Sequence, residues 1–209
     1  MRKKLLVLLT VLVMGIFTGC GMTEDEAKEY VKATLDASYK GEFEAFVEIT
    51  DSTPEGAAAM YDENMEHIMQ SAGFDEQDLG EELTNNYKEL FLALIKKAEY
   101  SVGDVTKNDD SFTVEVEVRP ITIFDNIETE VSDAVINRIS EMDKYPDEEA
   151  INKIAFEEMY NILNGKVEVP TYSNETVEVS INLHKNDRGM YEISEEDMLT
   201  LDNALFAIK

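Results

Sequence analysis

Apolar residues recur every three to four positions through the first part of the chain, and that spacing predicts a run of amphipathic helices. Ala27, Tyr30, Val31, Thr34, Leu35 and Ser38 share one face of the first. Thr23 and Glu26 stand at the N-cap and N3 positions of a capping box, and Gly41 closes the helix. A short second helix turns Phe43, Phe46 and Val47 inward. Thr53-Pro54 starts a third, with proline at N1 behind a hydroxyl cap. Its inward stripe is Ala58, Tyr61, Met65, Ile68, Met69 and Ala72, ended by Gly73. A fourth, from about Asp78 to Ala98, carries Leu79, Leu83, Tyr87, Leu90, Phe91 and Leu94 inward.

The period then changes to two. Tyr100–Val105 and Phe112–Val118 read as strands joined by the turn-rich Lys107–Ser111. Phe112, Val114, Val116 and Val118 alternate with Thr113, Glu115, Glu117 and Arg119, so one face meets a core and the other meets water. Helical spacing returns at Ile127, Val131, Ala134, Val135, Ile139 and Met142. After Tyr145-Pro146 it resumes at Ile151, Ile154, Ala155, Met159, Ile162 and Leu163, with Asn164-Gly165 as its stop. A second hairpin alternates Val177, Val179, Ile181 and Leu183 with Glu178, Ser180, Asn182 and His184. It turns through Lys185–Gly189 and returns on Tyr191 and Ile193. Ser194 and Asp197 open a last helix bearing Met198, Leu201 and Leu205. Neither hairpin is stable alone, so the expected fold is α+β. A helical first half packs on a small curved antiparallel sheet of two hairpins, with further helices between them and one at the C-terminus. Both hairpin turns read Lys-Asn-Asp, which is either a trace of duplication or the same turn chemistry used twice.

The residues before the first helix have a different character. Met1-Arg-Lys-Lys4 is basic, and Leu5 to Thr18 is a nearly unbroken apolar stretch of 14 residues. A membrane-spanning helix needs about 20 apolar residues, whereas a signal-peptide h-region is of this shorter length. Gly19-Cys20 follows, and Cys20 is the only cysteine in the chain, so no intramolecular disulfide can form. Phe17-Thr18-Gly19-Cys20 resembles the lipobox of bacterial lipoproteins, with Phe17 where leucine is usual. That resemblance implies cleavage between Gly19 and Cys20 and acylation of the Cys20 thiol, for example with palmitate. Two acyl chains anchor durably where one would be marginal. The expected organisation is a signal peptide over 1–19, a lipidated cysteine and short tether over 20–23, and one α+β domain over 24–209. The expected location is the extracytoplasmic face of the cell membrane, held by lipid.

A further resemblance lies in the mature chain. The Glu26-Ala-Lys-Glu-Tyr-Val31 opening, Tyr39-Lys-Gly41 and the Tyr191-Glu-Ile193 strand resemble a family of uncharacterised lipoproteins of Gram-positive bacteria, a domain of unknown function. Early helices on a late curved sheet are also similar to the nuclear-transport-factor-2-like cone, which implies a pocket between sheet and helices. Helices over 124–163 stand between the two hairpins here, which is a departure from the cone.

Charge narrows the partners. The chain holds 45 acidic against 18 basic residues, net −27, and loss of Arg2, Lys3 and Lys4 with the leader takes it to about −30. Such a surface repels nucleic acid and other polyanions. It suits a basic protein partner or diffusely held divalent cations, or serves solubility alone. The acids expected at the surface are Glu24, Asp25, Glu26, Glu81, Glu82, Glu157, Glu158, Glu195 and Glu196.

Candidate chemistry is sparse, and no cofactor is expected. Glu63 and His67, at i,i+4, could offer two metal ligands, but a solvated helix face explains them as well. His184 belongs to the wet face of its strand. Asp51, Thr53, Glu55, Gly56 and Asp62 fall on positions of a calcium-loop template, yet Thr53-Pro54 begins a helix where that loop should still be winding. Met60, Met65 and Met69 could line an adaptable groove, or fill core. No nucleophile elbow or phosphate-binding glycine loop occurs. The leading expectation is a non-catalytic binding or accessory module. The alternative is an enzyme using carboxylate acid/base chemistry, which needs a buried acid of raised pKa beside a tyrosine hydroxyl. A two-lobed solute-binding component would need a longer chain.

Overall fold

The computed structural model describes residues 21–74, 79–187 and 189–207. The leader with Gly19 and Cys20, and the proposed start of the fourth helix at Asp78, lie outside them. The architecture is α+β, as the periodicities predict. In chain order it has α1 (Glu24–Leu35), a π-helical turn (Asp36–Lys40), α2 (Glu44–Thr50), α3 (Pro54–Ala72) and α4 (Glu81–Ile95). β1 (Glu99–Asn108), β2 (Ser111–Arg119), α5 (Ile127–Ser140) and α6 (Glu148–Glu168) follow, then β3 (Val177–Lys185), β4 (Tyr191–Ile193) and α7 (Glu195–Phe206). None of the helices among the described residues is long and apolar enough to cross a membrane.

The sheet has the order β1-β2-β3-β4, all neighbours antiparallel. Val114 stands opposite Ile181 and Val116 opposite Val179, so both hairpins turn their apolar sides to one face. Phe112, Val114, Val116, Val118, Ile181 and Leu183 are fully buried there. Tyr30, Val31 and Leu35 of α1 and Leu201 and Leu205 of α7 belong to the same core. One contiguous cluster thus runs from Met22 to Phe206.

Several local expectations hold at atomic detail. Thr23 and Glu26 close both bonds of the capping box. Thr53 accepts the Gly56 N–H at 3.1 Å, and Ser194 accepts that of Asp197 at 3.1 Å. Gly41 and Gly73 end their helices with φ of +69° and +79°, a region open to glycine at little cost.

Two boundaries and one inward position move. The fourth helix ends at Ile95, and Lys97 and Ala98 bond back to Leu94 and Ile95 in a tighter turn before β1. In α3 the fully buried alanine is Ala57, with Ala58 half-buried beside it. Asn164-Gly165 does not stop α6, which continues to Glu168. Glycine in a helix costs about 1 kcal/mol, but Val167, one turn from Leu163, is buried in the core and repays it.

Candidate functional site

The residues most unusual for their surroundings meet where α1 changes pitch. From Asp36 the helix widens into a π turn, a form that recurs at functional sites. The Asp36 carbonyl accepts the amides of both Gly41 and Glu42. This turn carries Asp36, Tyr39 and Lys40 toward β1 and α7.

Asp36 is buried, its side chain 8% exposed, and carries a dense set of donors. Lys32 Nζ donates to Oδ2, Lys40 Nζ donates to Oδ1 at 2.8 Å, and the Tyr100 hydroxyl donates to Oδ1 at 2.7 Å. Lys40 also lies over the Tyr100 ring, 4.7 Å from its centroid. Burial alone would raise the Asp36 pKa, but the bonds from Lys32, Lys40 and Tyr100 outweigh it and hold the carboxyl below its ordinary value. Burial, then the hydrogen bond and charge of Asp36, push Tyr100 up.

Next to this group the Tyr39 hydroxyl donates to Asp202 Oδ1 of α7 at 2.7 Å. The Tyr39 ring sits 5.7 Å from that of Tyr100 and 6.3 Å from that of Phe206. Burial first, and the Asp202 charge second, raise the Tyr39 pKa well above that of a free phenol. Tyr39 is fully buried and Asp202 is 4% exposed, so the pair is closed to solvent. Asp36, Tyr39, Tyr100 and Asp202 together tie α1, β1 and α7 at one corner of the sheet. What they can do chemically is hold an ionised carboxylate and two protonated phenols in fixed geometry.

The residues singled out from the sequence lie elsewhere. Glu63 and His67 are exposed on α3, and no group of three metal-ligating side chains occurs among the described residues. His184 lies on the wet strand face, 3.5 Å from Glu192. Asp51 caps α2 in left-handed conformation and Thr53 caps α3, while Glu55, Gly56 and Asp62 lie within α3, so the calcium-template residues form no loop. Met65 and Met69 fill the core, while Met60 packs beside Ala33, Ala37, Phe46 and Ala57. Glu24, Asp25, Glu26, Glu81, Glu82, Glu195 and Glu196 are exposed as expected. Glu157 and Glu158 are not: they are half-buried on α6 and bonded to Arg138 of α5, at 2.6 and 2.8 Å. Periodicity could not show this, because the cation lies on another helix.

No family model matches the chain, and no curated protein matches its sequence. Among solved structures it is similar to ycdA of Bacillus subtilis, a protein described as a candidate lipoprotein, with a TM-score of 0.61 at 15% identity. The likeness covers 87% of this chain and 56% of that one, so this chain spans little more than half the length of that protein. The two share a fold.

Proposed function

We propose that this chain is an accessory lipoprotein, anchored through acylated Cys20 to the outer face of the cell membrane, whose folded part binds rather than catalyses. The observation that carries the reading is the leader: a basic start, an apolar stretch of 14 residues, then Gly19-Cys20. The fold it has in common with ycdA, itself described as a candidate lipoprotein, supports the same reading. With Met22 in the core and α1 capped at Thr23, the folded part begins two residues after Cys20, with no room for a stalk between them. The Asp36 corner does not fit the acid catalyst that the enzyme alternative needs. An acid catalyst at neutral pH needs a raised pKa and a path to substrate. Asp36 has a lowered pKa, and the Tyr39–Asp202 pair is enclosed. The acidic surface suits a basic protein partner or diffuse divalent cations, and disfavours nucleic acid.

Labelled palmitate tests the anchor. Wild type should incorporate it and partition with membranes, and Cys20→Ser should take up no label and be either left uncleaved or shed. Absence of label from the wild type would overturn the proposal.

A further inference from the structure

Helix α5 is the exception to the packing of this molecule. It is 14 residues long and amphipathic, yet none of its residues is buried. Ile136 is 61% exposed, and Met142 and Tyr145 just beyond its end are 44% and 75% exposed. It packs chiefly on α6. Its N-terminus rests on Asn126, which has a left-handed φ of +63° and makes no side-chain cap. Its far end leads into the exposed run Glu141–Tyr145.

A half-buried apolar stripe and a set of ion pairs join α5 to α6. Arg138 reaches Glu157 at 2.6 Å and Glu158 at 2.8 Å, and Lys166 reaches Glu130 at 2.9 Å. Lys166 also donates to the Asp125 carbonyl at 3.4 Å. Both helices are otherwise net acidic: α5 has Glu128, Glu130 and Asp133 against Arg138, and α6 has five glutamates against Lys153 and Lys166. Two cations therefore bridge two mutually repelling helices. Partly exposed ion pairs of this kind are weak, and elements with few buried apolar contacts open without global unfolding.

We propose that α5 is a releasable strap, hinged at Asn126 and in the 141–147 connection, and latched by Arg138 and Lys166. Its release bares Val131, Val135 and Ile139 of α5. It also bares the side of α6 that carries Glu158 and Lys166, on which Ile151, Ala155 and Ile162 fall by helical spacing. The sheet, α1 and α7 stay folded throughout, because their core includes no α5 residue among its buried members.

Hydrogen exchange on the full chain, read by peptide, tests the strap. Amides of 127–140 should exchange faster than those of 112–118 in the wild type. Arg138→Gln should speed the 127–140 amides by roughly three- to tenfold and leave 112–118 unchanged. Glu158→Gln removes one of the same bonds from the other side and should act in the same direction, more weakly. Wild-type exchange of α5 at the β2 rate would overturn the proposal. So would variants that move both regions equally, or move neither.

Discussion

Two stretches of this chain carry equally clear apolar periodicity and meet different fates. In β2, every second residue from Phe112 to Val118 is fully buried, because α1 and α7 cover that face. In α5 the stripe Ile127, Val131, Ala134, Val135 and Ile139 is only half-buried, because its cover comes chiefly from one neighbouring helix, with Ile127 alone reaching the main core. A pattern of apolar positions states which face seeks cover. It does not state how much cover the rest of the chain supplies.

The same charge placed on each stripe should separate them most sharply. Val116→Asp puts an unpaired carboxylate between Val179 and Val102 on the fully buried face of the sheet. That change should cost more than about 4 kcal/mol, enough to prevent stable folding. Val135→Asp in α5 should cost about 1 kcal/mol, since the new carboxylate can turn to water. Glu115→Asp is the control for β2 and should be close to neutral. Denaturant midpoints of the three variants decide the matter. Equal losses at Val116 and Val135 would mean that α5 belongs to the core as fully as β2.

The contrast also marks what could be read from the sequence. Helix caps at Thr23, Thr53 and Ser194 and the inward register of both hairpins were legible, because each is a local rule acting within a few residues. The end of α6 was not, since a distant core holding Val167 outweighs the local cost of Gly165. The Asp36 corner was hidden for the same reason. Tyr39 and Asp202 are 163 residues apart, and Asp36 and Tyr100 are 64 apart. Asp36 occupies a position of the first helix that the apolar stripe leaves to solvent, and only the approach of β1 buries it. One signal was present: Lys32, Asp36 and Lys40 stand at successive i,i+4 positions in a chain poor in cations.

That corner gives the next largest effect, and it is a function of pH. The folded-state pKa of Asp36 lies below its unfolded value, so its contribution is full above about pH 4 and is lost as pH falls through the folded pKa. Asp36→Asn removes this dependence. The wild type should exceed the variant in stability at neutral pH, and the gap should close on acidification below about pH 4. The difference between the two curves is the readout, because screening and neutralisation of the other acids act on both. A gap that stays constant down to about pH 2 would show that Asp36 contributes through packing and not through charge.

The smallest effect should come from the glycine that failed to end α6. Gly165 is helical, with a negative φ, and a Cβ built there meets nothing within 4 Å. Gly165→Ala therefore adds no clash, while it removes the extra backbone freedom that glycine gives the unfolded chain. The gain should be about 0.4–1 kcal/mol. In a chain of this size that amounts to a rise in Tm of roughly 1–4 °C. The position tests which half of the comparison α6 belongs to. If α6 unfolds together with the sheet, through Ile154, Leu163 and Val167 in the core, the whole gain appears in the global Tm. If the segment from 164 onward frays before the sheet melts, the gain is spent on a local equilibrium and the Tm stays put. An unchanged Tm, with slower exchange confined to 164–168, would move this end of α6 out of the core and into the loosely held region with α5.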